Sequence, residues 1–540
     1  MGEAGAAAVG PPARAPRRAA RPWPPPFLWV PAVLVAGAAL LPLAYLVLRT
    51  AGAGGEVWGV LFRARTLLVL GRSLLLAASV AGTTVVLALP LAWLTARTDL
   101  PWRRMWAILT SVPLVIPSYV GAFVAVSALG PRGMLQNLLA RPFGVDRLPE
   151  IYGFPGAWLV LSLLSYPYVL LNLRAALARM DPALEEAARS LGQSAWGTFR
   201  RITLPHLRPA LAAGALLVAL YTLSDFGAVS LLRYETFTWA IYLQYQTSFD
   251  RTLAAALGLV LVVIAVGLLA LESSRQGQGR YYRSSVGAVR PSPVARLGRW
   301  RWPATVLCTV VVVAAVALPV SVLGYWVVRG VLAGQELAPL GRATASSLYV
   351  SGLAAAVVLV AAVPVAVLSV RYRTWSTMLL ERASHIGFAM PGIVVALALV
   401  FFGARYLTPL YQTLALLVFA YGVLFLPTAV GAVRSSLVQV NPNLEDAARG
   451  LGQTPLRAFA RITLPLIRPG LAAAAAMAFL LSMKELPATL LLSPIGFKTL
   501  ATSIWSAASE AFFARAAAPA LLLVLASSLS LALMHLGERR

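Results

Sequence analysis

Charged side chains are scarce in this chain, so the few that interrupt its apolar stretches are the first candidates for chemistry. Asp225 stands in YTLSDFGAV, and Lys484 and Glu485 are adjacent in LSMKELPAT. A charge near the middle of a bilayer costs about 2.5 to 3.5 kcal/mol on insertion scales, so it normally faces a bundle interior or a water-filled path. Two uses fit these residues: lining a translocation path, or pairing with arginine or backbone groups between helices. Neighbours on a helix point about 100° apart, so Lys484 and Glu485 need not pair with each other. Nothing reads as a catalytic centre, because no nucleophile is matched to a base. The GxxxxGK[ST] spacing that cradles nucleotide phosphates is missing, and the two lysines, Lys484 and Lys498, stand outside any such context. Three histidines and one cysteine give no metal-site spacing, and Cys308, inside an apolar stretch, reads as a packed thiol.

The elements that must position these residues are set by composition. Of 540 residues, 59% are hydrophobic and 12% charged, against roughly 25% charged in an average soluble domain. A spanning helix needs about 20 mostly apolar residues, and the chain supplies such runs repeatedly. Approximate spans are 27–48, 68–96, 105–129, 156–173, 210–232 and 252–271, then 303–328, 345–370, 386–403, 411–432, 470–493 and 517–537. Helices are expected throughout, because an open sheet would leave backbone groups unpaired in lipid. The fold class is therefore an all-α membrane protein of about 12 transmembrane helices. Arg14, Arg17, Arg18 and Arg21 precede the first run, but its roughly 22 residues exceed the 7 to 15 of a signal core, so a retained helix is expected.

A formal charge of +26 would suggest nucleic acid in a soluble chain. Here the arginines fall in short loops between apolar runs, which points to membrane topology instead. Arg97, Arg103, Arg104, Arg371, Arg373 and Arg382 are expected inside. So are Arg275, Arg280, Arg283, Arg290, Arg296, Arg299 and Arg301 of a central linker. In the expected outer loops Asp146 and Glu150 offset Arg132, Arg141 and Arg147. Both termini are thus expected in the cytoplasm. The boundaries that follow are a tail at 1–26, a first half at 27–272, a basic linker at 273–302 and a second half at 303–540.

The two halves are duplicates. PALEEAARSLGQSAWGTFRRITLPHLRPAL from Pro182 returns 260 residues later, from Pro442, as PNLEDAARGLGQTPLRAFARITLPLIRPGL, with 18 of 30 positions identical. Upstream the offset is 274: Pro90 matches Pro364, and Pro117 matches Pro391. An even number of spans per half gives both repeats one orientation, so the pore is expected between two pseudo-symmetric six-helix halves.

Each repeat carries a mostly polar cytoplasmic segment, about 174–209 and 433–469, far longer than a tight turn requires. Asp181 and Asn441 are placed to cap a helix that opens on Pro182 or Pro442. Glu185 and Arg189, like Glu445 and Arg449, are four apart and predict one polar face. Leu184, Ala187, Ala188 and Leu191 predict the other, repeated as Leu444, Ala447, Ala448 and Leu451. Gly192 and Gly452 suit a left-handed helix end. A second short helix is expected from Ser194 or Thr454, ending before Pro205 or Pro465.

The order of acidic pair, two alanines, glycine and trailing leucine-proline resembles the coupling loop of permeases from binding-protein-dependent ATP-binding-cassette importers, over about residues 66–272 and 345–537. That resemblance implies a type I importer permease fold in a bacterial inner membrane. It implies two copies of a separate ATPase subunit, which would use the ATP, and an extracytoplasmic solute-binding protein. It carries the docking role onto Glu185, Ala187, Ala188 and Gly192, and onto Glu445, Ala447, Ala448 and Gly452. No cofactor, bound metal or nucleic acid is expected on this chain. The segment SMKELPATLLLSPIGFKTLAT and the segment TLSDFGAVSLLRYETFTWAIYL resemble fused ferric-iron permeases. Two facing carboxylates, Asp225 and Glu485, would then offer a hard cation a weak, transient stop. Thiamine, phosphonate and other small-solute permeases of the same superfamily are the alternatives, and an ion-coupled secondary transporter is the alternative class.

Overall fold

The structure is a computed structural model that describes residues 24–52, 59, 61–131, 133–144, 148–247, 252–276, 294–335, 338–372 and 374–537. Arg14, Arg17, Arg18, Arg21, Arg132, Asp146, Arg147, Arg280, Arg283, Arg290 and Arg373 lie outside the described residues, as do the side chains of Arg141 and Arg275. Among the described residues there is no β-strand. Among those residues eight helices are long and apolar enough to cross a bilayer, and three bent pairs bring the number to eleven. The twelfth expected run falls on the 25-residue helix Phe513–Gly537.

In the first half the spans are Pro26–Ala51, Ala64–Arg97, Arg103–Val115 with Ser118–Leu129, Phe154–Arg179, Leu204–Ser224 and Thr252–Gln276. In the second half they are Gly298–Leu332, Ala338–Arg371, Trp375–Ala389 with Gly392–Tyr406, Leu414–Gln439, Arg468–Lys484 and Phe513–Gly537. Arg97 and Arg371 end the second and eighth spans, where the negative end of the helix dipole favours a cation.

Four spans that read as continuous are broken. The third turns by 93° and the ninth by 105°, each restarting after Pro117 or Pro391 in extended conformation. Proline lacks the N–H that would continue the helix and disfavours helical geometry in the residue before it. The fifth span stops at Ser224 and the eleventh at Lys484. Asp225 and Glu485 are extended, and short helices Gly227–Leu231 and Pro487–Leu492 follow.

The two apolar cores do not follow the two sequence halves. One joins the first and sixth spans to spans eight to eleven, and the other joins spans two to five to the seventh and twelfth. Each half thus lends its outer helices to its neighbour. Small residues allow the close approach: Ala32, Ala36 and Ala39 on the first span and Ala304, Cys308 and Ala315 on the seventh are buried.

The end of the linker is fastened to the first half. Thr98 pairs with Ala295 in a single parallel bridge. The Asp99 carboxylate accepts from Leu297 N–H at 2.8 Å and from Arg301 at 3.0 Å. The Leu297 bond, seconded by Arg301, holds the Asp99 carboxyl below its ordinary pKa.

Candidate functional site

Two short helices, Pro182–Ser190 and Asn443–Gly450, stand where the repeat places its polar segments. The first starts as the sequence predicts, with Asp181 Oδ1 accepting from Ala183 N–H, whereas the second opens one residue later than expected, at Asn443, whose N–H donates to Asn441 Oδ1, each bond at 3.0 Å. Their ends are two-bond left-handed caps. Gly192 has φ +81° and Gly452 φ +83°. Gln193 N–H reaches Ala188 O and Gly192 N–H reaches Arg189 O, with the same pair at Gln453 and Gly452, all at 3.0 Å. Ser194 and Thr454 cap the next turn. The sequence predicts that this second helix ends before Pro205 and Pro465. Instead the chain runs on through π turns, Phe199–Thr203 and Phe459–Thr463. The wider turn takes in Arg201 and Arg461, the carbonyls that a proline four residues later leaves unbonded.

The faces of these helices are arranged differently from the expectation. No ion pair joins Glu185 to Arg189 or Glu445 to Arg449 among the described residues. Glu185 is buried, 3.7 Å from Arg97, and its Oε1 accepts from Thr203 Oγ1 at 2.8 Å. Glu445 Oε1 lies 3.3 Å from Arg371 and accepts from Thr463 Oγ1 at 2.6 Å. Arg97 and Arg371, expected among the cytoplasmic loop charges, are buried, and they also donate to the Leu177 and Val440 carbonyls at 3.0 and 3.2 Å. The reason is spatial: each arginine ends a span directly beneath the loop helix, where desolvation is tolerable only with a carboxylate and carbonyls at hand.

The outward face is apolar. Leu184, Ala187, Leu191 and Trp196 are exposed in the first copy, and Leu444, Ala447, Leu451 and Leu456 in the second. Leu191 and Leu451 stand 83% and 85% exposed, a poor use of leucine unless another surface covers it. Ala188 and Ala448 point inward with the buried Glu185 and the half-buried Glu445. The outward acids are Glu186 and Asp446, the second members of the two acidic pairs, which carry no docking role in the resemblance. The signal was available: residues one apart on a helix differ by about 100°, so an acidic pair cannot share one face.

In the membrane, Asp225 and Glu485 occupy equivalent breaks in the fifth and eleventh spans. Asp225 Oδ1 accepts from Ala228 and Val229 N–H at 2.9 and 3.3 Å, and the carboxylate also takes the Ser118 hydroxyl. Ser118 opens the second piece of the third span. Glu485 Oε1 accepts from Ala488 N–H at 3.2 Å and abuts Gly392, which opens the second piece of the ninth span; a Cβ there would collide with it. Each carboxylate therefore joins two helix beginnings, whose partial positive charge it neutralises.

These two junctions meet across the halves. Gly227 packs on Tyr119 of its own half and on Leu486 of the other. Tyr221 lies within electrostatic reach of both Asp225 and Glu485, and Tyr119 and Tyr421 within reach of Glu485. The Tyr421 hydroxyl is bonded to Thr489 at 2.6 Å, whereas the buried Tyr119 hydroxyl has no hydrogen-bond partner among the described residues. Lys484 does not pair with Glu485: its Nζ donates to Leu114 O, in the other half, at 3.1 Å. No group of three or more His, Cys, Asp or Glu side chains suited to a metal ion occurs among the described residues.

The chain matches, at residues 88–272 and 358–540, the family described as binding-protein-dependent transport system inner membrane component. It is 34% identical over 515 residues to an Fe(3+)-transport system permease protein of Haemophilus influenzae, covering 94% of this chain and 98% of that protein. It is 29% identical to a sulfate transport system permease protein of Escherichia coli, over 46% of this chain and 90% of the relative. A molybdenum transport system permease protein of the same organism is 31% identical, over 39% of this chain and 96% of its own length.

Proposed function

Because this chain belongs to the inner membrane components of binding-protein-dependent transport systems, we propose that it carries ferric iron inward through a path between its halves, driven by a separate ATPase. The observation that carries the iron reading is the near full-length similarity to a permease named for Fe(3+) transport, with both halves in one chain. The sulfate and molybdenum relatives each align with less than half of this chain. An extracytoplasmic binding protein delivers the iron. Two ATPase subunits serve the permease, one per loop helix, which is supported by the two equivalent apolar faces around Leu191 and Leu451. ATP is held by those subunits and no cofactor by this chain.

In this reading the tail 1–26, the linker 273–302 and the loops 174–209 and 433–469 face the cytoplasm. Closure of the ATPases on ATP displaces both loop helices and shifts the halves between inward-open and outward-open states. Asp225 and Glu485 border the path. Support comes from the cluster of tyrosines around them where the two halves meet, a polar setting inside the apolar bundle.

Proteoliposomes holding the chain with its ATPase and binding protein should accumulate ferric iron in an ATP-dependent manner and leave sulfate and molybdate outside. Equal uptake of an oxyanion would overturn the iron assignment. Ser194→Cys and Thr454→Cys, both on exposed loop positions, should be labelled in intact cells only by membrane-permeant reagents. Labelling by an impermeant reagent from outside would reverse the topology.

A further inference from the structure

We propose that the polar trios Arg97–Glu185–Thr203 and Arg371–Glu445–Thr463 are transmission joints, which turn displacement of each loop helix into movement of particular spans. The inference rests on the reading that the loop helices dock an ATPase. Each helix has little apolar surface with which to grip its own half. Pro182, Glu185 and Ala188 are the buried residues of Pro182–Ser190, and Ala448 is the one buried residue of Asn443–Gly450. At about 25 cal/mol per Å2 of buried apolar area, such small contacts cannot fix a helix against a load. Orientation falls to the polar joint.

Its geometry is selective. Arg97 is the last residue of the second span, Thr203 directly precedes the helix Leu204–Ser224, and Leu177 lies in the last turns of Phe154–Arg179. One carboxylate and one guanidinium therefore tie the loop helix to the second, fourth and fifth spans together. The second half repeats the joint with Arg371 at the end of Ala338–Arg371 and Val440 just after Leu414–Gln439, but there Thr463 leads into the short helix Leu464–Leu466, which turns by 72° into the eleventh span. The fifth span is one helix of 21 residues that runs on through Pro209, about 31 Å at 1.5 Å per residue, and it ends at Asp225. A push on the loop helix thus arrives at the carboxylate junction in mid-membrane. A buried ion pair is a weak source of stability compared with apolar packing of similar volume, and its presence in both halves fits directional fastening.

The test uses substitutions away from the outward face. Arg97→Lys with Arg371→Lys keeps the charges but removes the guanidinium, which in Arg97 reaches the carboxylate with one nitrogen and the carbonyl with the other and in Arg371 meets both through one nitrogen. Thr203→Val with Thr463→Val removes only the hydroxyl donors at nearly constant volume. Each variant is purified with its ATPase and reconstituted, and retained ATPase, ATP hydrolysis and iron uptake are measured together. The expected result is wild-type retention of the ATPase and continued hydrolysis, with iron moved per ATP reduced about fivefold or more in the lysine variant, the lower end of typical coupling effects. The valine variant should change in the same direction by a smaller factor. An unchanged ratio in both variants overturns the proposal, and so does loss of the ATPase itself from the valine variant, which would make the joint part of the docking surface. A wild-type chain that retains no ATPase would instead refute the docking reading beneath it.

Discussion

Replacing Gly192 and Gly452 together by valine is expected to reduce energised uptake at least about tenfold while the chain still inserts into the membrane. Both residues have φ near +80°, where an L-residue costs roughly 1 to 2 kcal/mol and a β-branched one more. No atom lies within 4 Å of a Cβ built at either position, so the penalty is in the backbone alone. Relief of that strain means giving up the paired bonds from Gly192 and Gln193, and from Gly452 and Gln453, that end the loop helices. Leu191 and Leu451, the most exposed apolar residues of the docking face, precede these glycines and would be re-aimed. Asparagine tolerates the left-handed region, so Gly192→Asn with Gly452→Asn should keep uptake within about threefold. Uptake and ATPase retention of the valine pair at wild-type level would remove these turns from the mechanism.

The second large effect is expected at the mid-membrane carboxylates. Asp225→Asn with Glu485→Gln keeps an oxygen to accept from Ala228 and Ala488 N–H but removes both charges. If the carboxylates border the path, iron uptake falls about tenfold or more, equivalent to about 1.4 kcal/mol of lost interaction, at normal expression and ATPase assembly. Asp225→Ala separates the other use of the residue. It deletes the helix start as well as the charge, and loss of such a cap costs about 1 kcal/mol, so this variant should also unfold at lower temperature. Equal uptake by wild type and the Asn/Gln pair, together with a destabilised alanine variant, would leave Asp225 and Glu485 as helix caps only.

Much of the molecule was legible without coordinates because lipid narrows the choices. Apolar runs of about 20 residues have one favourable form in a bilayer, so the twelve runs fell on helices, and the 260-residue repeat paired the two halves. The loop helices, their Asp181 and Ser194 caps and the positive φ at Gly192 and Gly452 also followed from residue type and spacing, since capping is decided within a few residues. Tertiary structure decided what depends on distant neighbours. Arg97 is 88 residues from Glu185 in the chain, and only their packing shows that the acid faces inward and that Glu186 and Asp446 take the outer face. The exchange of outer helices between halves leaves no local trace, because an apolar helix packs on any apolar partner with small residues at the contact. Pro117 and Pro391 were legible only as matched positions of the repeat inside runs read as continuous, and that the helices break there and restart toward Asp225 and Glu485 required the fold. A carboxylate in an apolar stretch announces a polar environment; its identity comes from the chain segments that meet there, and here those are two helix beginnings and a tyrosine cluster shared by both halves.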